Sequence, residues 1–179
     1  MSNILIVYSS VDGHTFNICE RIKDSFLAKG HGVNIVSVKD TQHLDFKAYD
    51  KILIGASIRY GKHNEQVVSF INKNTSVLDK VPNAFFSVNL VARKANKNTP
   101  ETNPYIKKFL KNISWKPKRI AVFAGKINYP KYSFFDRMMI QIIMFMTKGP
   151  TNPRTVKVYT QWERVDEFSR NFLSEECEK

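Results

Sequence analysis

Acid, cysteine and long apolar runs are what this chain of 179 residues has least of, and each shortage excludes something. Its two cysteines, Cys19 and Cys177, have neither a metal-site spacing nor the CxxC of a redox pair, so no metal and no disulfide framework is expected. A reducing cytosol is the expected setting. No stretch reaches the roughly 18 uninterrupted apolar residues of a membrane-spanning helix. The N-terminus enters a short apolar run without the basic region of a signal peptide. Neither GxxxxGK[ST] nor GxGxxG occurs, which places nucleoside triphosphates and dinucleotides behind other ligands.

Acid is scarcest between residues 90 and 150, where thirteen Lys and Arg face only Glu101 and Asp136. That segment carries +11, and the rest of the chain supplies only +1 of the formal total of +12. Such a field draws anionic lipid, nucleic acid or an acidic small molecule, unless it is merely a solvated basic face. No RNA- or DNA-binding motif accompanies it, so nucleic acid is not an expected partner.

What is present reads as one globular domain over residues 1–179, with 42% hydrophobic and 25% charged residues. Ile4 to Tyr8 is a continuous apolar run, the pattern of a strand buried on both faces. Further strands are expected at Val33 to Val38, Lys51 to Ala56, Ala84 to Leu90 and Arg119 to Ala124. Helices are expected from Thr15 to Gly30, Glu65 to Asn72, Pro104 to Asn112 and Trp162 to Leu173. Strands alternating with helices give an α/β fold with a doubly wound, five-stranded parallel sheet. Ligands of such a sheet bind outside the carboxyl ends of its strands, at the topological switch point.

The loop Ser9-Ser10-Val11-Asp12-Gly13-His14-Thr15 falls at that end, between the first strand and the first helix. Unpaired N–H groups and the helix dipole suit a phosphate there, the hydroxyls add donors, and Gly13 permits close approach. Hydroxyls without a lysine suit a small monophosphate cofactor. Asp12 would repel that phosphate, so it is expected to turn outward and shape the turn with Gly13. His14 is either a phosphate contact or an ordinary residue at a helix start.

A long insertion, about residues 125–154, follows the fifth strand and precedes a short strand expected at Val156 to Thr160. Within it, ten of the fourteen residues from Phe134 to Thr147 are apolar. As a helix this segment would span about 21 Å, short of the roughly 30 Å hydrocarbon core of a bilayer. It is a core helix, an in-plane membrane anchor ringed by lysines, or the wall of a pocket for a flat apolar ligand.

The run ILIVYSSVDGHTFNIC resembles the FMN phosphate loop of flavodoxins. The blocks GASIRYGKH, FFSVNLVARK, TPETNPYIKKFL, the AG and YPKY element, and DRMMIQIIM followed by KG resemble the menaquinone-dependent protoporphyrinogen oxidase family, long-chain and flavodoxin-like. The five blocks run in order over nearly the whole chain, insertion included. One departure is Gly149-Pro150-Thr151-Asn152-Pro153, with two prolines and no acidic residue after the threonine, which leaves the loop's path open.

The resemblance implies a sheet of order 2-1-3-4-5, an FMN cofactor, and an oxidoreductase (protoporphyrinogen IX dehydrogenase (quinone)) at the cytoplasmic face of the membrane. Protoporphyrinogen IX of haem biosynthesis would be the electron donor, and a menaquinone or ubiquinone pool the acceptor. An anionic membrane surface would be a further partner, and a homo-oligomer is possible. The implied cofactor contacts are Ser9, Ser10, Val11, Asp12, Gly13, His14 and Thr15, then Ser57, Ile58, Arg59, Tyr60 and Gly61, then Ser87, Val88, Asn89, Leu90 and Gly125.

Tyr60 would stack on or edge the isoalloxazine, or stand as a surface loop aromatic. Arg59 would raise the flavin potential by stabilising the reduced anion. No residue presents itself as a general base. His63 comes nearest, although a lone histidine at a helix start is more often structural. Arg93, Lys94, Lys126, Lys131 and Arg137 are the cations expected to meet the substrate carboxylates. Rival readings are a flavodoxin-like electron carrier, which is typically acidic, and an NAD(P)H:quinone reductase of similar fold.

Overall fold

A computed structural model describes residues 1–174. Cys177 lies outside the described residues, while Cys19 is buried with a free thiol. The elements are β1 (Asn3–Ser9), α1 (His14–Leu27), β2 (Gly32–Ser37), β3 (Lys51–Arg59), β4 (Lys62–His63), α2 (Glu65–Leu78) and β5 (Asn83–Asn89). They continue with α3 (Pro104–Lys111), β6 (Arg119–Ala124), β7 (Lys126–Asn128), α4 (Phe134–Met146), β8 (Val156–Val158) and α5 (Trp162–Leu173).

The five main strands are parallel in the order β2-β1-β3-β5-β6, which is the expected 2-1-3-4-5. The reason is legible in β1, where Ile4, Leu5, Ile6 and Val7 are all fully buried. A strand with no solvent face needs a layer on each side. Ile4 and Ile6 meet Ile18, Ile22 and Phe26 of α1 and Val165, Phe168 and Phe172 of α5. Leu5 and Val7 belong to the opposite cluster, with Val67 and Ile71 of α2, Ile106 and Phe109 of α3, and Trp115. The chain leaves β1 for β2 on one side and returns to β3 on the other, so the switch point lies between β1 and β3.

Two expectations needed correction, and one open alternative is closed. Helix α2 runs on to Leu78 instead of stopping at Asn72, because Leu78 is buried and closes the last turn against the core. Asn74 and Thr75 donate back to the carbonyls of Phe70 and Ile71, inside the longer helix. The strand expected at Val156 to Thr160 ends at Val158 and pairs antiparallel with β7, apart from the main sheet. Its three residues are all exposed, so it has no core face to offer that sheet.

Finally, α4 is not a core helix, since Met144 is its one buried residue. Met144 and Ile140 pack on a small separate cluster of Ile127, Tyr129 and Tyr132. Phe134, Phe135, Met138, Ile142, Phe145 and Met146 face outward, each at least 41% exposed. No helix among the described residues is long and apolar enough to cross a membrane.

Candidate functional site at the sheet switch point

A cleft of about 410 Å³ opens at the carboxyl ends of β1 and β3. Three core loops and the insertion enclose it, each for a local reason. Gly13, at φ 78, turns the chain from β1 into α1 and leaves the helix without a side-chain cap. The first N–H groups of α1 are therefore free for a ligand. Tyr60 and Gly61 both have positive φ, at 49 and 77, and close a two-residue hairpin between β3 and β4. This is the backbone of a type I′ turn, easy for Gly61 and strained for Tyr60. Tyr60 is 69% exposed at the cleft mouth. After β5, the Asn89 side chain accepts from Ala92 N–H at 3.0 Å and pins the third loop.

The structure brings most of the expected cofactor residues to this cleft. Ser10, Val11, Asp12, His14 and Thr15, all of Ser57 to Gly61, Val88 to Leu90, and Gly125 line it. Three do not. Ser9 is a buried residue of β1 paired with Ala56, and Gly13 faces solvent behind the turn. Ser87 lies fully buried beneath the floor, hydrogen-bonded to His63 at 2.9 Å and accepting from Asn89 Nδ2 at 3.3 Å.

Of the five expected substrate cations, Lys126 alone lines the cleft. Arg93 is spent on structure, donating to the Leu90 carbonyl and to the Thr147 carbonyl and hydroxyl at 2.7–3.0 Å. Lys94, Lys131 and Arg137 lie away from the lining, and Lys131 is exposed. The charges in the lining are Asp12 and Asp136 against Arg59 and Lys126, which cancel. Most of the basic field therefore sits outside the cleft.

Asp12 turns from the loop to Arg59 Nη1, at 3.2 Å. Arg59 Nη2 lies 2.5 Å from Asp136 Oδ2, and its guanidinium stacks over Tyr60 at 5.4 Å. With two carboxylate partners, Arg59 offers the cleft much less positive field than its formal charge suggests.

His14 and His63, the two histidines singled out in the sequence, are structural. Thr160 donates its hydroxyl hydrogen to the Ala124 carbonyl at 2.6 Å, so His14 Nε2–H must be the donor across its 2.6 Å bond to Thr160. That leaves Nδ1 a bare acceptor, unsuited to an anion. Burial, then the Lys126 charge, hold this imidazole below its usual pKa. His63, packed on Phe85 and Phe109, is pushed down to about 3 by burial. It stays neutral near pH 7, outside the cleft lining, and is not the base.

Sequence reasoning missed Val91, Tyr105, Tyr132, Asp136, Met139, Ile140 and Ile143 in the lining. Asp136 carried a signal, as one of two acids in a segment of +11, and Met139, Ile140 and Ile143 lay in the apolar run for which a pocket wall was one reading. The α4 residues form an apolar wall, so the pocket-wall reading of the insertion describes its inner face.

Two buried hydroxyl oxygens, Ser10 Oγ and Ser57 Oγ, have no hydrogen-bond partner although both residues line the cleft. Buried polar atoms are nearly always satisfied, so these two mark places where a polar ligand completes the bonding. A phosphate at the α1 N-terminus and a polar group beside β3 fit them.

The Flavodoxin domain family matches residues 5–154. The protoporphyrinogen IX dehydrogenase [quinone] of Escherichia coli (strain K12) is 43% identical over 166 residues, covering 93% of this chain and 92% of that protein. The chain belongs to this family. The namesake from Leishmania major is 44% identical over 172 residues, which is 95% of this chain and 74% of that protein. Among solved structures, oxidised flavodoxin 1 from Bacillus cereus superposes with a TM-score of 0.52 at 12% identity, covering 98% and 99% of the two chains. A flavodoxin from Pseudomonas aeruginosa superposes with a TM-score of 0.51 at 9% identity, covering 81% and 95%. These likenesses establish the flavodoxin-like fold, and family membership extends over the insertion as well.

Proposed function

We propose that the protein oxidises protoporphyrinogen IX to protoporphyrin IX with FMN as cofactor and a respiratory quinone, menaquinone foremost, as acceptor. Six electrons leave the substrate in three two-electron steps. The observation that carries this reading is the cleft itself, where two unpartnered hydroxyls and a free helix N-terminus stand opposite an apolar wall built by the family's insertion.

Ser10, Thr15 and the first N–H groups of α1 hold the FMN phosphate, and Ser57 with the Tyr60 hairpin borders the isoalloxazine. The bound flavin supplies the two-electron acceptance that side chains lack. The protein supplies place and dryness. Met139, Ile140 and Ile143 exclude water from one side, and Asp12 and Asp136 offset Arg59 so that the site as a whole stays near neutral.

The outer face of α4 supports a second part of the proposal, that the enzyme works at an anionic membrane surface on the cytoplasmic side. Exposed Phe134, Phe135, Phe145 and Met146 present apolar area to the headgroup–acyl boundary, and the surrounding lysines supply about 1 kcal/mol each near anionic lipid.

The test is anaerobic. FMN-loaded protein is mixed with protoporphyrinogen IX and a menaquinone analogue, and porphyrin fluorescence is followed. Fluorescence should rise only when protein, FMN and quinone are all present. Equal rates without protein would overturn the assignment, and steady NADPH oxidation would favour a quinone reductase.

A further inference from the structure

Three donors converge on one carboxylate at the mouth of the cleft. Asp136 receives the Arg59 guanidinium at 2.5 Å, the Ser133 hydroxyl at 2.8 Å and the Tyr60 hydroxyl. Its side chain is only 15% exposed, and it lines the cleft. The Tyr60 and Ser133 hydroxyls, then the Arg59 charge, hold its carboxyl below the ordinary range, so the donors face an anion. Asp12 grips Arg59 from the other side, which keeps the guanidinium aimed across the mouth.

The carboxylate at that position comes from a loosely held element. Asp136 sits in the first turn of α4, whose single buried residue, Met144, lies near the far end. The far end is separately fixed by Arg93 on Thr147 and by Gln141 on the Thr151 carbonyl. The near end rests on Ser133 and on the Arg59–Tyr60 contact. Space adds a further constraint. A cleft of about 410 Å³ is near the lower end of the usual range for one small ligand. Flavin and macrocycle together need room that the inner face of α4 now takes.

We propose that Arg59 and Tyr60 form a subsite for a carboxylate of the substrate, and that Asp136 is a resident stand-in which the substrate carboxylate displaces. One carboxylate replaces another on the same donors, so the exchange is close to balanced electrostatically, and the freed Asp136 is hydrated. Release of the near end lets the first turns of α4 lift, and Met139, Ile140 and Ile143 then meet the apolar macrocycle. This inference rests on the reading above that the substrate is a porphyrinogen dicarboxylate.

Protoporphyrin IX and its dimethyl ester serve as non-reacting probes, titrated into FMN-loaded protein by fluorescence. The subsite predicts that Arg59→Gln weakens binding of the diacid about tenfold and leaves the ester unchanged. Asp136→Asn, which removes the competitor, should tighten the diacid and speed amide exchange across residues 134–140. The KM for protoporphyrinogen IX then moves in opposite directions in the two variants, and flavin content reports that each is folded. If both variants weaken the diacid, or if Arg59→Gln weakens acid and ester alike, the cluster is a structural latch and the subsite is overturned. If the wild type binds neither porphyrin, the functional reading fails and takes the subsite with it.

Discussion

The doubly wound core and the insertion are held by different forces. In the core, β1 buries four consecutive apolar residues completely, between helices that bring Phe26, Phe172, Ile71 and Phe109 to its two faces. In the insertion, α4 buries one residue of thirteen and is fixed at its ends by polar contacts. The loop between β1 and α1, proposed to hold the cofactor phosphate, grows from the first kind of region. The part proposed to admit a bulky ligand grows from the second, where opening would cost little apolar burial.

The largest effect that can test this contrast is in the core. Phe86→Ala should cost about 3–5 kcal/mol and lower the melting temperature by about 6–20 °C. Phe145→Ser, at a residue 78% exposed, should leave melting within about 0.5 kcal/mol while reducing sedimentation with anionic liposomes. Comparable destabilisation by the two would break the comparison.

A pH series sharpens it next. Folded His63 is held at about 3 against about 6.5 when unfolded, so the unfolded chain binds the extra proton as pH falls between these values. The stability linked to neutral His63 is fully present above about pH 6.5 and is lost progressively toward pH 3, reaching about 2 kcal/mol by pH 5. Urea midpoints at pH 7.5 and 5 should therefore differ less in His63→Gln than in the wild type. An equal pH dependence would remove the buried neutral imidazole from the account.

Arg93→Ala should act locally. Loss of its bonds to Leu90 and Thr147 should raise amide exchange in the last turn of α4, with β1 and β5 amides unchanged in hydrogen-exchange mass spectrometry. The smallest effect belongs to Arg21 and Asp166, a bidentate but half-exposed pair joining α1 to α5. Arg21→Ala should change stability by no more than about 0.5 kcal/mol and less still in high salt, seen in urea midpoints at two ionic strengths.

Much of the fold and of the phosphate loop was readable because both depend on neighbours in sequence. The alternation of apolar runs and helical spacing placed all five main strands, and Arg119–Ala124 and Trp162–Leu173 begin and end where the pattern says. Contacts between distant loops were not readable. His14 finds Thr160 146 positions away, which turns a possible phosphate ligand into a structural donor. Arg93 follows a loop at the cleft as a substrate cation would, yet Thr147 claims it from 54 positions away. Arg59 likewise stands where a flavin-tuning cation was expected, and only the folded chain gives it two carboxylates.

The sequence by itself determined the layers, the strand order's α/β character and the loop at the head of α1, because burial period and turn chemistry are local properties. Tertiary structure alone decided which face of α4 meets the cleft, which charges cancel there, and that Asp136 occupies Arg59 and Tyr60. Those outcomes depend on side chains far apart in the chain meeting at one mouth, and no local pattern encodes such a meeting.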